Sequence, residues 1–119
     1  MRDHTKLKAF NLADEVAILV YEVTSNFPRE ELYGLTSQIR RAAVSVPSNI
    51  AEGYARESKK ELIRYLYISL GSLSELETQF IISKKLNFLS EESMLKDIEI
   101  VRRKLLNLIK YHKGKLRAT

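Results

Sequence analysis

Seven cations and no acid occupy residues 102–119: Arg102, Arg103, Lys104, Lys110, Lys113, Lys115 and Arg117. Such a run can attract polyanions such as nucleic acid, binding phosphates and releasing their counterions. It also fits a solvated helix end whose cations answer the helix dipole, and both readings stay open at this point. Arg103, Lys110 and Lys113 share one helix face opposite the apolar row, so they are expected to look outward. Arg56, Lys59 and Lys60 form a second, weaker basic group. Catalytic chemistry finds no comparable support. His4 and His112 stand near opposite ends of the chain, outside any metal-ligand spacing. Glu75 and Glu77 are two apart on a helix and point in different directions, which denies them an acid/base partnership. There is no Gly-rich phosphate loop and no nucleophile motif. The expectation is a non-enzyme with no catalytic residue, no metal and no cofactor.

A second polar set is Arg40, Arg41, Asn49, Glu52, Arg64, Glu75, Glu77 and Gln79. These residues make either a ligand or RNA site, or hydrogen-bonded partners between helices or between subunits. The second reading is preferred, because buried polar groups need partners and arginine complements glutamate. Tyr54, Tyr65 and Tyr67 can stack on bases, although tyrosines at this spacing are more often core-edge residues.

The elements that must position these groups are helices. Leu12, Val16, Leu19, Val20 and Val23 mark a first amphipathic helix over about 11–26, ended by Phe27-Pro28. Leu32, Tyr33 and Leu35 are expected to pack the following connection against the bundle. Thr36 or Ser37 is the expected N-cap of a second helix, about 37–57. That helix carries almost nothing large: Ala42, Ala43, Ser45, Ser48, Ala51, Gly53 and Ala55. Another backbone can approach it closely. Pro47 lies mid-pattern, and because the apolar spacing of Ile39, Val46, Ile50 and Gly53 resumes after it, a continuous but kinked helix is expected, with the Ala43 carbonyl missing its usual donor.

Ser58-Lys59-Lys60-Glu61 reads as a capping box opening the longest helix, about 59–86. Its seam is Leu62, Leu66, Ser69, Leu73, Leu76, Phe80 and Ser83, with a second, partly apolar row at Ile63, Leu70, Glu77 and Ile81. Close approach is expected at Gly71-Ser72. Asn87 is the expected stop, Ser90 the next N-cap with Glu91 and Glu92 following, and the fourth helix spans about 91–112. Its inward residues are Leu95, Ile98, Val101, Leu105, Leu108 and Ile109, Gly114 ends it, and 113–119 form a basic tail. Four helices with mostly short connections predict one all-α domain over residues 1–119, an antiparallel up-down-up-down bundle.

Charge is unevenly distributed along the 119 residues, whose total is +5. Residues 84–119 hold ten Lys/Arg against four Asp/Glu, whereas residues 1–35 hold four against six. No signal-peptide core and no run of about 20 apolar residues is present, so a soluble protein without membrane contact is expected. With no cysteine, a cytoplasmic setting is expected as well.

Three blocks carry a family resemblance: Arg40-Arg41-Ala42-Ala43-Val44-Ser45-Val46-Pro47-Ser48-Asn49-Ile50-Ala51-Glu52-Gly53, Glu61-Leu62-Ile63-Arg64-Tyr65-Leu66, and Gly71-Ser72-Leu73-Ser74-Glu75-Leu76-Glu77-Thr78-Gln79. They resemble the four-helix-bundle proteins encoded in intervening sequences of bacterial 23S ribosomal RNA genes, the S23 ribosomal proteins. The resemblance implies a left-handed bundle that assembles as a ring-shaped homopentamer. It also implies kinship with accessory variability determinant proteins of diversity-generating retroelements, whose basic pentamers engage nucleic acid and a reverse transcriptase. Two functions are therefore expected as alternatives: an oligomer binding RNA or other nucleic acid through a basic surface, or a scaffold recruiting a protein partner. The site expectation places nucleic acid on residues 102–117, with Arg40 and Arg64 serving folding or assembly.

Overall fold

A computed structural model describes residues 3–90 and 93–118. It contains four helices, α1 (Lys8–Thr24), α2 (Leu35–Tyr54), α3 (Lys59–Lys85) and α4 (Ser93–Ala118), and among the described residues no strand. The seam expected on α3 is buried throughout, from Leu62 to Ser83. It meets Ile39, Val46 and Ile50 of α2, Val16 and Val20 of α1, and Ile98, Val101, Leu105 and Ile109 of α4 in one apolar core. Ala9, Ala13 and Ala17 bury the rest of the α1 face, and Leu19 turns outward instead. No described helix is long and apolar enough to cross a membrane.

Small side chains let α2 and α3 approach closely. The Ser45 and Ser72 hydroxyls bond at 2.8 Å, and Ser69 donates to the Val46 carbonyl at 2.8 Å. A Cβ on Gly53 would stand 2.9 Å from the Tyr65 Cβ and 3.2 Å from the Leu62 carbonyl oxygen. Gly71 does not share this role: it faces outward, with no heavy atom within 4 Å of where its Cβ would lie. Helix α2 runs unbroken through Pro47, as the resumed periodicity predicts. Contacts climb one helix as they descend its neighbour, Val46 with Ser69 and Gly53 with Leu62, then Glu77 with Arg102 and Lys59 with His112.

Several helix ends differ from expectation. Helix α2 begins at Leu35 after Gly34, and the Glu31 carboxylate accepts from the Leu35 amide at 3.2 Å, so neither Thr36 nor Ser37 is the cap. Thr36 lies buried in the first turn. Tyr33 does not pack on the bundle, being 94% exposed. Half of the capping box forms: Ser58 Oγ accepts from the Glu61 amide at 3.2 Å, while the Glu61 carboxylate turns to Arg64 at 2.9 Å. Asn87 ends α3 at φ 62°, with Phe88 N–H on Ser83 and Asn87 N–H on Lys84, a Schellman closure. Glu91 and Glu92, expected in the first turn of the fourth helix after an N-cap at Ser90, lie outside the described residues, and α4 is described from Ser93. Gly114 does not end α4, which continues to Ala118. A glycine costs about 1 kcal/mol in a helix interior but does not break it, and the following cations suit the helix C-terminus.

Candidate nucleic-acid interface

At one end of the 51 Å bundle, the α2–α3 turn and the C-terminal half of α4 meet. The link is His112, only 5% exposed. Its Nε2 lies 2.8 Å from the Tyr54 hydroxyl and its Nδ1 3.3 Å from Lys59 Nζ. An ammonium only donates, so in this contact Nδ1 carries the lone pair and Nε2–H donates to Tyr54. The same end holds the N-terminal turn and the start of α1, because Leu7, Lys8 and Ala9 line a groove with Lys104, Asn107 and Leu108.

Contact across the fold therefore joins the two basic groups that the sequence keeps some 50 residues apart. Residues 3–8, 52–64 and 110–118 carry ten Lys/Arg against four Asp/Glu. Lys60, Lys110, Lys113, Lys115 and Arg117 are exposed and form no ion pair among the described residues. Arg56 is taken by Glu52, whose hydrogen bond raises its pKa further above the ordinary guanidinium value. Arg64 is likewise taken by Glu61, and its hydrogen bond holds the Glu61 carboxyl below the usual range.

Rings interleave with these cations. Lys113 Nζ lies 5.0 Å over Tyr67, Lys115 Nζ 5.5 Å over Tyr111, and Arg56 and Arg64 lie 5.1 and 4.6 Å over Tyr65. Tyr111 escaped the sequence reading, although Lys115 follows it by one helical turn; the Lys113–Tyr67 contact needs inter-helix register and has no local signal.

The remaining expected residues fall elsewhere. Arg102 is not available to a ligand: its guanidinium reaches Glu77 at 2.8 Å and Glu99 at 2.6 Å. Burial opposes its charge, but those hydrogen bonds prevail and raise its pKa. Arg103 is exposed and Lys104 half-buried, both nearer the middle of α4. Of the polar set, Arg40 ties α2 to α1 through Thr24 Oγ1 at 2.8 Å and lies 4.7 Å over Tyr21. Asn49 bonds Ser45 within α2, and Gln79 bonds Glu75 within α3 at 3.3 Å. Glu77 bridges to α4 rather than to α2. Arg64 is exposed and bonded to Glu61 within α3, with no pairing to another helix among the described residues. Arg41 and Glu75 face an open groove of about 680 Å³ with Tyr21, Val44 and Ser72. No cluster of three His, Cys, Asp or Glu able to hold a metal occurs among the described residues.

The sequence of this four-helix chain matches the 23S rRNA-intervening sequence protein family over residues 5–107. The chain belongs to that family. A solved relative of unknown function, from the S23 ribosomal protein family of Bacteroides thetaiotaomicron, superposes with a TM-score of 0.79 at 22% identity. The likeness covers 86% of this chain and 95% of that one and concerns the fold. No curated protein matches. The family match stops short of Lys110, Tyr111, His112, Lys113, Lys115 and Arg117, so what they do rests on this chain's own geometry.

Proposed function

We propose that this family member is a non-enzymatic, oligomeric protein that binds RNA or another nucleic acid through the basic end of its bundle. One observation carries the reading: the N-terminal turn, the α2–α3 turn and the end of α4 bring ten cations to one end against four acids, and five of the exposed cations there have no carboxylate partner among the described residues. Affinity from such a surface arises largely from counterion release and carries little base sequence information. Titration of structured RNA at several salt concentrations tests it. The expected result is a linear fall of log affinity with log salt; no binding at low salt ends the proposal.

The contact orders support an antiparallel up-down-up-down bundle, and the resemblance implies that copies close into a pentameric ring. A specific surface supports self-association. Exposed Tyr21, Val44, Ile68, Ile82 and Leu86 lie on the α1–α2–α3 side, which also carries the groove holding Arg41 and Glu75. A basic end repeated around a ring would form a belt, multiplying a modest patch. The same side favours the second reading, a scaffold for a protein partner. Native mass measurement at micromolar concentration decides the assembly; a monomer there removes the ring.

A further inference from the structure

The tyrosines at the basic end are not equivalent. Tyr67 is 43% exposed and Tyr111 57% exposed, and each has one exposed lysine over its ring. Tyr65 is half-buried, its Cβ against Gly53, its ring held by Arg56 and Arg64, and its hydroxyl bonded by Arg56 at 3.1 Å. The two accessible rings flank α4. Lys113 faces α3, whereas Tyr111 and Lys115 continue the helical row of Lys104 and Leu108 on the α1 side. Between them α4 presents a shallow depression of about 530 Å³ lined by Asn107, Lys110, Tyr111, Gly114 and Lys115. Gly114 leaves its floor open, with no heavy atom within 4 Å of a Cβ there.

We infer that this end takes a single-stranded nucleic acid crossing the C-terminal half of α4, with bases stacked on Tyr67 and Tyr111 and phosphates on Lys110, Lys113 and Lys115. The inference rests on the nucleic-acid reading above and narrows it. An exposed ammonium–ring contact is weaker than a base–ring stack, so an arriving base displaces the lysine from its ring. The freed ammonium stays within reach of the adjoining phosphate. A duplex offers no such exchange, since its bases are already stacked on one another and an A-form helix shows mainly phosphates and hydroxyls. Duplex binding would use the cations alone.

Three probes with matched phosphate number test this: an unstructured oligoribonucleotide, its abasic sugar–phosphate counterpart, and an RNA duplex. The parent is expected to bind the oligoribonucleotide roughly tenfold more tightly than the abasic strand, the scale of one or two base–aromatic stacks. A Tyr67→Leu/Tyr111→Leu variant should erase that difference while leaving duplex affinity and salt slope unchanged. Because the chain has no tryptophan, tyrosine emission reports stacking directly, and quenching should follow the oligoribonucleotide and not the abasic strand. Tyr33→Ser, at the far end, should behave as the parent. Equal affinity for based and abasic strands overturns the stacking inference and leaves the electrostatic reading standing. Failure of all three probes to bind at low salt overturns both.

Discussion

The two ends of the bundle use their cations differently. Toward the α1–α2 and α3–α4 connections, residues 19–41, 75–90 and 93–103 hold eight Lys/Arg against seven Asp/Glu. There Arg102 is divided between Glu77 and Glu99, Arg40 is bound to Thr24, and Phe27 meets Phe88 at 5.5 Å to tie the two connections together. At the other end the excess is six, and exposed Lys113 and Lys115 lie over rings, with no carboxylate partner among the described residues. Among the α4 cations, availability thus follows the contacts made with α3 and along α4 rather than the place in a charge run. One end ties Arg40 and Arg102 into the fold, and the other keeps Lys110, Lys113 and Lys115 exposed with no ion pair among the described residues.

The largest expected effect tests whether the ends are separable. Phe80 is fully buried in the neutral half, and Phe80→Ala should cost about 3–5 kcal/mol in denaturant unfolding. Below its own transition the variant should still bind RNA with the parent's salt slope. Loss of binding in the folded variant would mean that the two ends are not independent.

Gly53→Ala comes next. The added Cβ would press on the Tyr65 Cβ and the Leu62 backbone at the basic end, and overpacking of this kind costs about 1–3 kcal/mol. Gly71→Ala is its counterpart, adding a methyl in open space, and should stabilise by up to about 1 kcal/mol through helix propensity. Opposite signs are the expected outcome in parallel urea titrations; equal signs would deny the close α2–α3 approach at Gly53. Tyr54→Phe removes the hydroxyl bonded to His112 and should cost about 1 kcal/mol. Its amide exchange should rise at the end of α4 before it rises in α1 at Val16 or Val20.

How much of this was legible in the sequence follows from the same distinction. The seam of α3, the inward row of α4 and the passage of α2 through Pro47 are matters of period within one helix, and they read directly. So does the Asn87 stop, because a left-handed residue after a helix has few substitutes. The site was only half legible. Its residue types were on view, but Arg102 sits in the same basic run as Lys110, and Glu77 across the α3–α4 contact together with Glu99 one turn before it on α4 sets it apart. Gly114 misled because glycine marks helix ends mainly where φ must be positive, and here it is not. The convergence of Lys59 with His112 belongs to the fold, as does the preference of Glu77 for α4 over α2.

The smallest change in stability is the most informative about function. Lys110→Gln/Lys113→Gln removes two exposed cations with no ion pair among the described residues, and surface substitutions of this kind stay within about 0.5 kcal/mol. Arg102→Gln instead breaks a partly buried bridge to Glu77 and Glu99, and should cost roughly 1 kcal/mol. In RNA titrations the order should reverse. Each phosphate contact on a single strand adds about 0.7 to the salt slope, so the lysine pair should reduce it by about 1.4 per engaged subunit and weaken all sequences alike. Arg102→Gln should leave the slope unchanged, because its charge is already matched within the fold. If Arg102→Gln lowers the slope as much as the lysine pair does, register does not decide which cations are available, and the contrast between the two ends fails.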